Sequence, residues 1–252
     1  MRISAPCYSV YSVVFYSYHM KKSIGTRRES SLHRALKFSY AGRRTEREAA
    51  GFVADGISAE GEFIEVQTGS FAPLKRKAAK LAQLGGLRVI YPVVVAKYIE
   101  VFDSNGRREY RRKSPRRGTP WDLFNALVYA PELPLTRGLV IELVLLDASE
   151  QRLRDGKGSW RRKGLSIKDH HLLAVHERIR LEKLSGYLRF VPFARNEFFT
   201  SASLAEKAGI RRELAQKTLY VLARLGVIEK TGKQRNAAVY RISVKNKKKS
   251  NK

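Results

Sequence analysis

Apolar residues recur along this chain at two spacings, and the switches between them divide it into elements. Over residues 25–41, Leu32, Ala35, Leu36 and Ser39 stand three and four apart, which predicts a helix. Residues 51–57 and 62–67 read as two strands around a turn at Ala59, Glu60 and Gly61. Pro73 opens a second helix whose inward stripe is Leu74, Ala78, Leu81 and Ala82, and Gly85-Gly86 stops it. The run 87–95 (LRVIYPVVV) is almost unbroken, as expected of a strand covered on both faces. A hairpin follows over 97–103 and 108–113, turning at Asn105-Gly106. Thr119-Pro120 starts a short helix that reaches Tyr129, and 139–146 is another apolar strand. The basic, Gly-containing stretch 152–168 reads as a loop, with helix resuming near Asp169.

From Thr200 the pattern becomes that of a compact module. One helix stops at Gly209. A second, over 211–225, turns Leu214, Thr218, Leu219, Leu222 and Leu225 inward and leaves Arg211, Arg212, Gln216, Lys217 and Arg224 on the opposite face. A hairpin then surrounds residues 231–236. This layout resembles a winged helix, which implies a second helix set in the major groove and a basic hairpin tip on the backbone or in the minor groove. The expected fold class is α/β, with a core over 23–195 followed by a small α+β winged-helix module over 196–244. Residues 1–22 read as a leader and 245–252 as a solvated basic tail. Within the leader, Ser4 to Tyr18 is too short and too hydroxylated to span a bilayer, and Met20 before two lysines resembles a start site.

Charge changes the picture most. The chain carries 50 Lys and Arg against 23 Asp and Glu, a net charge of +27. Self-repulsion on that scale is usually offset by a polyanionic partner, and nucleic acid fits because neutralising phosphates releases condensed counterions. The expected phosphate contacts are Arg111, Arg112, Lys113, Arg116 and Arg117 in the segment 107–117, Arg161, Arg162 and Lys163 in the basic loop, and Arg211, Arg212, Lys217, Lys233 and Arg235 in the module. The single cysteine, Cys7, excludes an internal disulfide framework and any multi-cysteine metal site. With no redox signal to oppose it, a cytoplasmic, nucleoid-associated setting is the expectation.

Against this basic background, residues 46–65 form an acidic island: Glu46, Glu48, Asp55, Glu60, Glu62 and Glu65, with Arg47 its one base. A turn centred on Glu60 places Asp55 opposite Glu65, with side chains on one face about 5 Å apart at Cβ. Phe52, Ala54, Ile64 and Val66 then share the other face toward the core. Opposed like charges are destabilising unless a cation lies between them. A divalent metal meets that need equally with a pair of solvated surface acids as the alternative.

The order of elements resembles the PD-(D/E)XK nuclease core over roughly residues 25–103. The resemblance rests on a helix with Glu29, a strand with Asp55, a strand with Glu65-Val66-Gln67, a Lys-rich helix and an apolar strand. It implies that the sheet of the 23–195 core is mixed, and that Asp55, Glu65 and the Val66 carbonyl hold Mg²⁺ (or Mn²⁺), with Glu29 an accessory acid. Gln67 stands where the family pattern has lysine. An amide orients water but supplies no charge, so the resemblance implies a helix lysine in its place, Lys75 first and Lys77 second. The function so implied is a metal-dependent DNA endonuclease, with a symmetric dimer expected for double-strand cutting. The alternatives are a non-catalytic DNA-binding regulator with a degenerate core, or an RNA-processing nuclease. His170, His171 and His176 read as surface or core histidines rather than ligands. Trp121 and Trp160 read as core before base-stacking residues.

Overall fold

The computed structural model describes residues 29–243, so the leader, the start of the first predicted helix and the basic tail lie outside the described residues. Helix α1 (Ser31–Ala41) begins where the Ser30 side chain accepts a hydrogen bond from the His33 N–H. Its exposed first N–H is taken by Asp169, which also accepts from the Ser31 hydroxyl, so a helix start that lacks its own acid borrows one from a distant strand. Strand β1 (Thr45–Ala49), β2 (Phe52–Ile57) and β3 (Phe63–Val66) form an antiparallel meander. The expectation had no strand at β1. It is short and mostly polar, an edge with no apolar pattern to show.

A 3₁₀ turn (Ala72–Arg76) and helix α2 (Ala78–Gly85) carry the chain to β4 (Leu87–Phe102), parallel to β3. Strand β5 (Arg108–Lys113) folds back on β4. Helix α3 (Leu123–Leu127) leads to β6 (Leu139–Arg154), parallel to β4, and β7 (Leu165–Leu181) returns antiparallel. The result is a seven-stranded mixed sheet in the order β1-β2-β3-β4-β6-β7, with β5 beside β4. Helices α4 (Ser201–Ala208) and α5 (Arg212–Arg224) and a two-stranded sheet, β8 (Ile228–Gln234) and β9 (Ala237–Ile242), complete the described residues.

Alternation along the strands sends neighbours to opposite faces. Leu32 and Leu36 of α1 cover Ile64, Val66, Ile90, Val144 and Leu146. On the other face, Leu74 and Leu81 pack with Val89, Ile141, Leu143, Phe124 and Leu127. Leu204, Leu219 and Leu222 of α4 and α5 join that same cluster, so the C-terminal module shares the core of the sheet. All four residues of the predicted stripe, Leu74, Ala78, Leu81 and Ala82, are buried.

The segment near Asp169 is strand, not helix, and the loop before it is confined to 155–164. The pairing of β6 with β7 shifts register at three places, between Leu145 and Leu146, Asp147 and Ala148, and Gln151 and Arg152. Each shift resets the inward-outward phase, so the two-residue period never persists long enough to be read. Likewise β4 is one strand of 16 residues rather than a strand and a hairpin arm, with a shift between Val94 and Ala96.

Gly56 decides how closely α1 approaches β2. A Cβ there would stand 2.4 Å from the Ala41 Cβ and 2.9 Å from the Arg44 carbonyl. We expect Gly56→Ala to lower stability by about 1–3 kcal/mol, the scale of overpacking, measured as a lower urea midpoint; an unchanged midpoint would show that α1 yields freely.

Candidate active site

The pairs Gly56↔Ile64 and Ile57↔Phe63 put Asp55 next in line opposite Glu65, as the sequence predicts. The ladder stops there. The Asp55 side chain accepts a hydrogen bond from the Val66 N–H at 2.8 Å, in the position a backbone partner would take. β2 also changes face at this point, since Ala54 packs with Phe63 and Leu74 while Gly56 meets Ala41 of α1. Residues two apart on a regular strand share a face, so the backbone rotates at Asp55. Glu46, which stands across β1 from it, has a φ of 53°.

This rotation corrects two expectations. Phe52, Ala54, Ile64 and Val66 do not form one core face: Ala54 belongs to the α2 side, Ile64 and Val66 to the α1 side. Nor do Asp55 and Glu65 share one face, because each carboxylate turns to a different set of partners. The acidic island is dispersed as well, with Glu62 paired to Arg88 and Glu46 near Lys37.

Asp55 meets α1. His33 and Lys37, four residues apart, line one side of that helix; Glu29, expected on the helix, instead precedes its Ser30 N-cap and reaches the same side from the chain before it. His33 Nε2 lies 3.3 Å from both Glu29 and Asp55. Lys37 Nζ lies 3.2 Å from Glu29 and 3.6 Å from Asp55, and the residue is only 7% exposed. Burial pushes the Asp55 carboxyl up, but hydrogen bonds from His33 and the Val66 N–H, with the charges of His33 and Lys37, outweigh it and hold the pKa below the usual value. His33 and Lys37 were not singled out in the sequence. The available signal was their four-residue spacing from Glu29.

Glu65 meets α2 instead. It is 1% exposed, and Lys77 Nζ donates to it at 2.5 Å and to the Val53 carbonyl at 3.1 Å. Burial raises its pKa, Lys77 pulls it back, the neighbouring Asp55 charge raises it again and a hydrogen bond from Gln67 lowers it; the balance is upward. Of the two lysines considered, Lys77, between the 3₁₀ turn and α2, is the one that meets Glu65, while Lys75 is exposed. The preceding 3₁₀ turn repeats every three residues, so Lys77 follows the buried Leu74 toward the sheet while Lys75 faces away. The Val66 carbonyl points to the same side as its N–H, toward Asp55, because the Gln67 N–H serves Ile90 of β4 at 2.9 Å.

Among the described residues, no group of three or more His, Cys, Asp and Glu side chains is placed to hold a metal ion. Mg²⁺ asks less than that, one or two carboxylates with water and phosphate completing the shell. Asp55, Glu65 and the Val66 carbonyl are an all-oxygen set, and the two acids are near enough for the charge of one to raise the pKa of the other.

The basic residues fall into three places. β3 leaves the edge of β4 after Ile90, and the chain from Lys113 back to Gly118 takes up that edge, with Gly118 N–H on Val94 and Ser114 N–H on Lys97. Arg111, Arg112, Lys113, Arg116 and Arg117, all exposed, therefore continue the line of β3 beyond Gln67. Arg161, Arg162 and Lys163 lie in the turn between β6 and β7. Arg211 and Arg212 at the start of α5, and Lys233 and Arg235 at the β8–β9 tip, are exposed. Lys217 is a correction: it is turned to Asn125 and Glu213, at 3.1 and 2.7 Å, so it joins α5 to α3 instead of facing outward. His170, His171 and His176 each stand beside an acid, Glu150, Asp169 and Asp147.

Residues 30–182 match the family described as Domain of unknown function (DUF8091), a span that takes in Asp55, Glu65, Gln67 and Lys77 and ends before α4. An uncharacterized protein of Treponema pallidum (strain Nichols) is 34% identical over 155 residues, 61% of this chain and 62% of that protein. The chain thus matches less than two-thirds of that relative's length. No solved structure matches.

The two acids carry opposite pH signatures. Asp55, with its pKa lowered by folding, contributes stability that is present above the unfolded carboxylate value and lost as pH falls through its lowered value. Glu65, with its pKa raised, contributes stability that is present below the unfolded value and lost as pH rises through its raised value. We expect Asp55→Asn to lower stability at pH 7 by about 1.5–3 kcal/mol, the scale of charge-assisted hydrogen bonds, and to flatten the acid limb of a stability-versus-pH curve. An unaltered acid limb would mean that His33 and Lys37 do not hold this carboxylate.

Proposed function

This chain belongs to the DUF8091 family, and from the site it carries we propose a Mg²⁺-dependent DNA endonuclease with a PD-(D/E)XK-like core. The observation that carries this reading is that Asp55 and Glu65 stand next to one another where β2 and β3 part, near enough for the charge of one to reach the other although they turn to opposite faces, each beside its own lysine. The mixed sheet supports the same reading: an antiparallel meander bears the acids, and a parallel strand follows through a helix that brings Lys77.

Bound at Asp55, Glu65 and the Val66 carbonyl, Mg²⁺ would supply an activated water and neutralise charge developing on the scissile phosphate. The protein's own groups do the rest. His33 and Lys37 keep Asp55 ionised. Lys77 presents a cation beside Glu65, the service the family pattern draws from lysine at the position of Gln67. Gln67 orients water through its amide. Exposed arginines on β5 and after it hold the flanking duplex along the edge of β4. The two helices and hairpin at the C-terminus act as a winged helix, with Arg211, Arg212, Lys233 and Arg235 on phosphates.

A second reading, DNA binding without cleavage, has one observation in its favour. Lys37 and Lys77 already neutralise the two acids, so the site needs no metal for charge balance. A cleavage assay over linear, nicked and branched DNA separates the two. For the endonuclease, Asp55→Ala and Glu65→Ala should each abolish Mg²⁺-dependent cleavage while leaving DNA affinity within about twofold. Full cleavage by either variant rejects the site, and binding without cleavage by the native chain under Mg²⁺ and Mn²⁺ selects the second reading. Under both, affinity should fall steeply with salt, since a protein contacting six to ten phosphates loses roughly 10³–10⁵-fold between 50 and 200 mM. A flat response in a filter-binding titration would remove nucleic acid as the partner.

A further inference from the structure

The strands β4, β6 and β7 run well past the end of β3, and at their far end the chain displays a tryptophan. Trp160 is 82% exposed. It contrasts with Trp121, which is half-buried, edge-on to Phe190 and hydrogen-bonded to the Phe190 carbonyl. Leaving a ring of that size in water forgoes the burial that usually holds aromatic residues in place.

The loop that carries Trp160 is built to hold it there. Asp155 accepts hydrogen bonds from the Lys157 N–H at 3.0 Å and the Ser166 hydroxyl at 2.8 Å, closing the loop base. The Gly158 N–H donates to the Gly164 carbonyl at 2.9 Å, and a Cβ at Gly158 would stand 1.9 Å from the Leu165 carbonyl, so the two limbs cross in a contact only glycine allows. Trp160 then opens a one-turn 3₁₀ helix in which the Lys163 N–H donates to the Trp160 carbonyl. The Arg161 guanidinium lies 5.4 Å from the ring centre. Lys157, Arg161 and Lys163 are exposed around it. The nearby acids are committed elsewhere, Asp155 within the loop and Glu109 to Arg154.

We propose that this tip is a stacking platform for an unpaired base of DNA, set about one helical turn from Asp55 and Glu65. A rigidly presented ring surrounded by cations is the chemistry that grips single-stranded nucleic acid, since every base offers a π face and every phosphate a charge. The spacing follows from the sheet. Val66 is level with Ile90, Ile90 with Glu142, and β6 runs twelve residues from Glu142 to Arg154 at the foot of the loop. At the rise of a β-strand that is about 40 Å, or about 12 base pairs of duplex at 3.4 Å each. The exposed arginines of β5 lie along this path, on the edge of β4. A membrane surface is the poorer fit, because the ring has glycine, serine and basic neighbours rather than an apolar patch to insert.

This inference rests on the DNA-binding part of the proposed function and not on cleavage. It is tested on the full chain and on Trp160→Ala and Trp160→Phe, with a blunt duplex and the same duplex bearing an unpaired overhang whose first base is 2-aminopurine. The native chain should quench the 2-aminopurine and prefer the overhang. Trp160→Ala should bind the overhang about tenfold more weakly, the scale of one lost base–aromatic stack, with blunt-duplex affinity and thermal melting unchanged; Trp160→Phe should retain most of the preference. Equal loss on both duplexes, no loss on either, preference for an RNA overhang, or loss confined to anionic phospholipid vesicles would each overturn the stacking role. Binding to no DNA at all would overturn the proposed function with it. Base quenching without cleavage would leave the platform standing and remove the endonuclease alone.

Discussion

A carboxylate buried in the middle of a sheet must find a positive partner or give up its charge, because taking an ion out of water costs several kcal/mol even after the surroundings relax. Glu65 is in that position, and Lys77 is its partner. The lysine reaches the acid only because the 3₁₀ turn before α2 keeps Leu74 and Lys77 on one side. The seating of α2 on the sheet and the ionisation of Glu65 are thus one problem. Lys77 also holds the Val53 carbonyl, so the same ammonium ties β3 to β2 at the point where their ladder has ended.

On the other face, Asp55 repeats the arrangement with different means. Its oxygen stands in for a missing backbone acceptor at Val66, and α1 brings His33 and Lys37 to it. The approach of α1 depends on Gly56 beneath its C-terminal end and on Asp169 at its N-terminal end, a residue of the far strand β7. Two helices on opposite faces therefore converge on one parting of two strands. Beyond that parting, the exposed arginines of β5 lie along the edge of β4. The long strands serve the same line, carrying the basic tip and Trp160 outward at a distance that the strand rise fixes.

Much of this was legible in the residues. Gly85-Gly86 closes α2 where expected, the Leu74–Ala82 stripe is buried, and the turn around Glu60 sets Gly56 opposite Ile64, the register that leads up to the two acids. Other features were hidden for identifiable reasons. The polar edge strand β1 has no apolar period. β7 conceals its period behind three register shifts. His33 and Lys37 sit among residues chosen for a helical face, and nothing local says that the face they share is turned to a sheet. Lys75 and Lys77 are equivalent as text and differ only through the turn that precedes them. Lys217 stands on the polar face of α5, yet that face is partly met by Asn125 of α3.

What the sequence determined by itself was local and additive: most element types from periodicity, stops from glycine, the excess of positive charge, and the register of β2 and β3 about a short turn. What the tertiary structure decided was which cation each acid receives and which way each turns. The rotation of β2 at Asp55 and the cross-sheet delivery of Lys37 and Lys77 come from contacts between residues far apart in the chain. No spacing rule encodes them, because they are set by how two helices pack against a twisted sheet.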